Sequence, residues 1–118
     1  MELICHAVSP SVRHIMIVCA DTAGGIVRID LTSAALFKGK LSAIAMECDM
    51  IVLDLSHVTF IDSSGLGALL SCVRDLTTRG GELRVCCVQQ RVMIMFNLVR
   101  LPKIIGVFDT LEEALATV

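Results

Sequence analysis

Hydrophobic residues change their spacing several times in the second half of the chain, and each change marks a new element. Residues 50–55 form a short apolar run typical of a strand buried on both faces. Beyond Ser63, apolar residues recur every three or four positions and predict a helix that ends at Gly80 and Gly81. Residues 82–88 predict the next strand. The apolar face of that helix comprises Leu66, Leu69, Leu70, Val73 and Leu76.

The C-terminal region continues the alternation of helix and strand. Val92, Phe96 and Val99 share one helical face, and Pro102 is expected to close that helix. Residues 104–108 predict a short strand. Thr110 is then expected to be the N-cap of a last helix, with Glu113 completing a capping box. The apolar side of this helix is Leu111, Ala114, Leu115 and Val118.

The first half of the chain shows weaker patterns. Residues 26–30 predict a strand, and a helical stripe of apolar residues leads from there to the strand at residue 50. Residues 3–8 and 14–20 are strand candidates separated by a turn-forming Ser-Pro-Ser, and we expect them to pair antiparallel. Residues 21–25 fit either a hairpin turn or a longer loop. The helical stripe consists of Phe37, Leu41, Ile44 and Cys48.

Strands and helices that alternate at short spacing predict an α/β fold. We expect a mixed β-sheet of about four to five strands with about four helices, in which parallel pairs are joined by right-handed crossovers. The chain of 118 residues has the length of one ordinary domain. Residues 1–118 are therefore expected to form a single domain.

The composition raises the question of a membrane span. Hydrophobic residues make up 55% of the chain and the mean hydropathy is +0.79. The longest stretch without a charged residue is residues 63–73, which is shorter than the roughly 20 residues that a spanning helix needs. Residues 1–6 also lack the basic start and long apolar run of a secretory signal. We therefore expect a cytoplasmic protein without membrane insertion, whose apolar excess serves a core or an interface.

Cysteine spacing and charge argue against several kinds of site. The six cysteines form no C-x-x-C pair, and no cysteine pair lies near a histidine at zinc-like spacing. They are expected to be buried, reduced thiols, with no metal and no cofactor. A net charge of −2, four phenylalanines and the absence of Trp and Tyr do not suit nucleic-acid binding.

Residues 58–67, Val-Thr-Phe-Ile-Asp-Ser-Ser-Gly-Leu-Gly, join the buried strand to the long helix and contain the candidate chemistry. Loops at such junctions are where sites lie in open α/β sheets. Ser63 and Ser64 are both placed to cap the helix, with Ser64 the favoured cap, and Gly65 and Gly67 leave room for a partner to approach closely. A phosphate on a serine here would lie beside Asp62, where added negative charge disrupts a protein interface. The segment therefore favours a reversible off-switch for partner binding, although two simple helix caps would also explain both serines.

The run Phe60-Ile61-Asp62-Ser63-Ser64-Gly65-Leu66-Gly67 resembles the signature of bacterial STAS domains, specifically the anti-sigma factor antagonists. The resemblance covers residues 26–118 and is weakest over residues 1–25. It implies that an anti-sigma factor that is also a serine kinase phosphorylates Ser63, and that a PP2C-type phosphatase removes the phosphate. The unphosphorylated form would bind the anti-sigma factor and free a sigma factor, which regulates transcription. The implied partner-binding residues are Asp30, Asp62, Ser63, Ser64, Gly65, Leu66 and Gly67.

Asp30 belongs to this set by position. Family members carry Gly-Glu-Leu-Asp at the end of an early strand, and residues 27–30 here read Val-Arg-Ile-Asp. The aspartate is kept, whereas the glycine and the glutamate are not. This departure affects the details of partner contact.

Two other functions fit parts of the pattern. A STAS module can act without phosphorylation, as a signalling scaffold or as a subunit of a lipid transport complex. A serine hydrolase would need a G-x-S-x-G elbow, but Ile61 stands where the first glycine should be, even though His57 is a candidate base. We therefore expect a binding module that is not an enzyme. Met93, Met95 and Phe96 fit a core cluster better than a partner groove.

Overall fold

The computed structural model describes residues 2–9, 14–20 and 27–116. Its helices and strands alternate over most of this length, as the sequence predicts. In chain order they are β1 (Glu2–Ser9), β2 (His14–Ala20), β3 (Val27–Ile29), α1 (Ala34–Ala45), β4 (Met50–Asp54), β5 (Val58–Ile61), α2 (Ser63–Thr78), β6 (Glu82–Cys86), α3 (Gln90–Leu98), a 3-10 turn (Leu101–Lys103), β7 (Gly106–Phe108) and α4 (Leu111–Leu115).

The main sheet contains five strands in the order β1-β2-β4-β6-β7. The first pair is antiparallel, as expected for strands so close in sequence, and the other three pairs are parallel. The predicted α/β fold with a mixed sheet and four helices is therefore confirmed for the described residues. The sequence did not predict β5, which pairs in parallel with β3 in a separate two-stranded sheet.

Strand β4 lies at the centre of the main sheet and is buried on both faces. Ile51 and Leu53 belong to the main core, whereas Val52 points to the opposite face, where it packs with Cys86 and Ala114. A strand covered on both sides needs apolar residues at successive positions, which explains the continuous run in the sequence. The prediction of a doubly buried strand is confirmed.

Helix α2 follows the predicted pattern. It packs against α1. Helix α3 packs against β5, so apolar stripes from several elements meet in one core. After Arg79 the backbone turns at Gly80, where φ is +77°, a left-handed conformation that glycine adopts without steric cost. The buried positions of α2 are Gly65, Leu66, Ala68, Leu69, Cys72, Val73 and Leu76.

The C-terminal elements begin and end close to the predicted positions. Phe96 is fully buried, and Met93 and Met95 pack against the main core, which confirms that this cluster is core. Pro102 lies in the 3-10 turn after α3. The hydroxyl of Thr110 accepts a hydrogen bond from the Glu113 N–H at 3.2 Å, which confirms the predicted cap of α4.

Some predictions lie outside the described residues. These are the turn at Pro10 and Ser11, the segment 21–25 and the end of the last helix at Val118.

Within the part of the chain that is described, no helix combines the length and apolar character that crossing a membrane requires. Among the described side chains, the thiols of Cys48, Cys72 and Cys86 are buried and that of Cys87 is half-buried.

Candidate functional site

A single residue, Asp62, separates the end of β5 from the start of α2. Its backbone is extended, and its Oδ1 atom accepts a hydrogen bond from the Gly65 N–H at 3.0 Å. Asp62 is therefore the N-cap of α2, and the expectation that Ser64 is the cap was wrong. Ser63 and Ser64 are instead the first two residues of the helix. The cause is the position at which β5 ends, which leaves the aspartate as the last non-helical residue.

The same carboxylate also ties a second loop to the site. The Oδ2 atom of Asp62 accepts a hydrogen bond from the Leu31 N–H at 3.1 Å, and the Asp62 N–H donates to the Ile29 carbonyl at 3.2 Å. These two bonds fix the β3–α1 loop, which contains Asp30, against the start of α2. The fold therefore brings together the two segments in which the sequence placed candidate residues.

The Asp30 side chain is half-buried and bonded within its own loop. Its Oδ1 accepts hydrogen bonds from the Thr32 hydroxyl at 2.7 Å and the Thr32 N–H at 3.0 Å, and its Oδ2 lies 3.7 Å from the Arg28 Nε. The Thr32 hydroxyl is the main cause that lowers the pKa of Asp30, and further bonds from Thr32 and Ser33 outweigh the opposing effect of desolvation. Asp30 thus adds a fixed negative charge to this end of the molecule.

The two serines differ in accessibility. Ser63 is exposed and Ser64 is half-buried, and neither hydroxyl forms a hydrogen bond with a described residue. Both lie at the helix start, where the aligned peptide dipoles favour negative charge. An enzyme that modifies a hydroxyl has to enclose it. The exposed Ser63 therefore suits modification better than the half-buried Ser64.

The two glycines of the segment have different surroundings. A Cβ atom on Gly65 would lie 2.5 Å from the Ile29 carbonyl oxygen and 2.7 Å from the Ile61 Cγ1, whereas Gly67 has open space around it. The close approach that Gly65 permits is therefore to the protein's own strand β3. Leu66 is 4% exposed and belongs to the main core. Gly65 and Leu66 support the site from beneath, and Ser63 and Gly67 form its surface.

Sequence reasoning missed two apolar side chains close to the site. Leu31 is 78% exposed and Phe60 is 37% exposed, and the Arg28 guanidinium lies 4.2 Å from the centre of the Phe60 ring. Leu31 interrupts an otherwise polar turn between Asp30 and Thr32, and that interruption was the signal available in the sequence. Exposed apolar residues beside an accessible hydroxyl are typical of a surface that another protein covers.

Among the described residues, the structure does not bring His57 to Ser63 as a hydrolase site would need. His57 is exposed and lies before the start of β5, whereas Ser63 follows the other end of that strand. Ile61, which occupies the first glycine position of an elbow motif, is buried in the main core. The candidate base and the candidate nucleophile are thus kept apart by the length of β5.

The new assignment of the cap predicts different stabilities for two alanine variants. Asp62→Ala removes the bonds to both Gly65 and Leu31, and we expect the free energy of unfolding to fall by about 1–2 kcal/mol. Ser64→Ala removes a hydroxyl without a partner among the described residues and is expected to stay within about 0.5 kcal/mol of the wild type. Urea unfolding followed by circular dichroism measures both changes. A larger loss in Ser64→Ala than in Asp62→Ala would contradict the assignment.

Comparison with known proteins connects this geometry to a family. A family model described as the STAS domain matches residues 26–114. The chain is similar to an anti-sigma F factor antagonist from Paenibacillus polymyxa, with 38% identity over 69 residues, which is 58% of this chain and 59% of that protein. The chain therefore spans about three fifths of the length of the curated relatives it matches first.

Solved structures show the same fold. A crystal structure of an anti-sigma factor antagonist from Mycobacterium paratuberculosis has a TM-score of 0.78 and 22% identity, and covers 99% of this chain and 92% of its own. The Bacillus cell fate determinant SpoIIAA in its phosphorylated form has a TM-score of 0.69 and 19% identity, with 98% of each chain covered. At these identities the likeness establishes the architecture.

Proposed function

Because this chain belongs to the STAS domain family, we propose that it is an anti-sigma factor antagonist whose partner binding is switched by phosphorylation of Ser63. In the unphosphorylated state it binds an anti-sigma factor that is also a serine kinase, and a sigma factor is released to act in transcription. The kinase then transfers a phosphate from ATP to Ser63, and a PP2C-type phosphatase restores the hydroxyl. The chain itself is a binding module in the cytoplasm and contributes no catalytic residue.

The observation that carries this proposal is the exposed Ser63 hydroxyl at the first helical position after a fixed aspartate. Asp62 is held by bonds to α2 and to the β3–α1 loop, so the start of the helix has a defined position. A defined position suits recognition by a kinase, since the hydroxyl has to meet the transferred phosphate in line. It also suits a protein interface, because little conformational entropy is lost when the surface binds.

A phosphate on Ser63 would change the surface much more than the fold. Phosphorylation adds a charge of about −1.5 to −2. The helix dipole stabilises that charge by about 0.3–1 kcal/mol at an exposed site, which leaves the domain folded. This surface carries the two carboxylates of Asp30 and Asp62 against the one guanidinium of Arg28. Leu31 and Phe60 give it an apolar part that a partner must desolvate. A dianion beside these groups opposes docking through repulsion and through its own desolvation cost.

Phosphorylation with a cognate anti-sigma kinase tests the proposal directly. The purified protein is incubated with kinase and ATP, digested and examined by mass spectrometry. We expect one phosphate within residues 62–74, present in the wild type and in Ser64→Ala and absent in Ser63→Ala. Labelling that persists in Ser63→Ala and disappears in Ser64→Ala would move the acceptor to Ser64, and no labelling of the wild type would overturn the switch.

A further inference from the structure

A second group of reactive side chains lies at the carboxyl ends of β4 and β6, on the face that α4 covers. Asp54 ends β4 and Cys86 ends β6, and the parallel register pairs these two residues directly. Cys86 packs with Val52 and Ala114, so its side chain points to the α4 side of the sheet. Ligands in open α/β sheets bind at this edge, beyond the carboxyl ends of the strands.

Cys87 joins this group through an unusual backbone conformation. Successive residues of a strand point to opposite faces, so regular geometry would turn Cys87 away from Cys86. Its φ is instead +60°, in the left-handed region, and its side chain packs against the same cluster as Cys86. Residues other than glycine rarely adopt this conformation, because the Cβ atom crowds the backbone. The result is that two adjacent thiols and one carboxylate lie within 4.8 Å of one another.

We propose that Asp54, Cys86 and Cys87 bind a zinc ion, with a fourth position open to water or to an external ligand. Zinc binding displaces the protons of the Cys86 and Cys87 thiols, which pass to solvent. The resulting two thiolates and one carboxylate are a donor set that Zn²⁺ accepts, and tetrahedral zinc with Zn–S distances of about 2.3 Å holds its ligand atoms roughly 3.7 Å apart. The three ligand atoms already lie within 4.8 Å of one another, so reaching that value takes a shift of about 1 Å. Three protein ligands and an open position are typical of zinc that acts on a ligand rather than zinc that only supports a fold.

Neighbouring groups orient the carboxylate and make the site negative. The Oδ1 atom of Asp54 accepts a hydrogen bond from the Ser56 N–H at 2.8 Å, and its Oδ2 is not bonded to any described residue. Burial is the main cause that raises the pKa of the Cys86 thiol, followed by the Cys87 thiol and the charges of Asp54 and Glu112. The same two carboxylates attract a cation. Cys87 is half-buried, which gives the ion a path from solvent.

This site differs from the sequence-based expectation that the chain holds no metal. That expectation looked for C-x-x-C pairs and for cysteine near histidine, whereas here the cysteines are adjacent and the third donor comes from a different strand. Only the pairing of β4 with β6 brings Asp54 beside Cys86. The site also shares no residue with the segment around Ser63, so either proposal can fail without the other.

Cobalt titration followed by zinc competition tests the proposal, with reduced, metal-free protein of full length. We expect one equivalent of Co²⁺ to give the charge-transfer absorption of thiolate ligation, and Zn²⁺ to displace it. Groups that hydrogen-bond the ligands of a metal site contribute about 10–100-fold to its affinity. A direct ligand contributes more, so Cys87→Ser is expected to weaken zinc binding by more than about 100-fold. Asp54→Asn is expected to weaken it by at least about tenfold.

Cys72→Ala is the matched control, since it also removes one free thiol, which lies on α2 on the other side of the sheet. It should bind zinc as tightly as the wild type, and circular dichroism confirms that each variant is folded. Cys87→Ser changes a half-buried residue and is the informative variant if Cys86 variants do not fold. The proposal is overturned if the wild type shows no thiolate absorption with cobalt, or if Cys87→Ser binds zinc with the affinity of the wild type.

Discussion

Ser63→Asp is expected to lose affinity for the anti-sigma factor by at least about 100-fold, whereas Ser63→Ala should bind as tightly as the unphosphorylated wild type. The aspartate places a carboxylate on an exposed position next to Asp62 and close to the loop of Asp30. Like charges brought together in an interface cost several kcal/mol, and each 1.4 kcal/mol is a factor of about ten in affinity. The alanine removes only a hydroxyl without a hydrogen-bond partner among the described residues.

Titration calorimetry with the purified anti-sigma factor measures these affinities. Ser63→Asn is the matched control, because asparagine has the size of aspartate without its charge. We expect Ser63→Asn to bind much more tightly than Ser63→Asp, and we expect the difference to shrink as salt concentration rises, since salt screens exposed charges. Equal weakening by both variants would assign the effect to bulk rather than charge, and normal binding by Ser63→Asp would contradict the electrostatic switch.

The elements that could be predicted from the sequence are those whose pattern is local. The strand at residues 50–55 could be predicted from its own apolar run. Helix α2 could be predicted from apolar residues that recur every three or four positions. β5 has four residues, too few to show a period, and its partner β3 lies far earlier in the chain. Its existence depends on pairing between distant segments, which no local pattern contains.

The candidate site was predictable to the same degree. The run from Asp62 to Gly67 is contiguous, so its chemistry could be inferred before its geometry was known. The identity of the cap could not, because aspartate and serine cap helices about equally well and the choice depends on where β5 ends. The zinc-binding arrangement at Cys87 was also hidden, since it requires both a strand register and a positive φ.

Gly65→Ala is expected to lower the free energy of unfolding by about 3 kcal/mol, near the upper end of what overpacking a core usually costs. The added methyl group would meet a backbone atom, the Ile29 carbonyl oxygen, at 2.5 Å, and backbone cannot move aside as a flexible side chain can. That same oxygen accepts the hydrogen bond from the Asp62 N–H. The substitution therefore separates the start of α2 from β3 and disturbs the cap together with the packing.

Gly67→Ala provides the control within the same helix. Nothing lies within 4 Å of a Cβ atom built on Gly67, and alanine is favoured over glycine in a helix interior by about 0.5–1 kcal/mol. Thermal and urea unfolding should therefore show one alanine that destabilises the protein strongly and another, two residues later, that leaves it unchanged or slightly more stable. Similar stabilities for the two variants would mean that α2 does not rest on β3 at Gly65, and the close packing that fixes the position of Ser63 would be refuted.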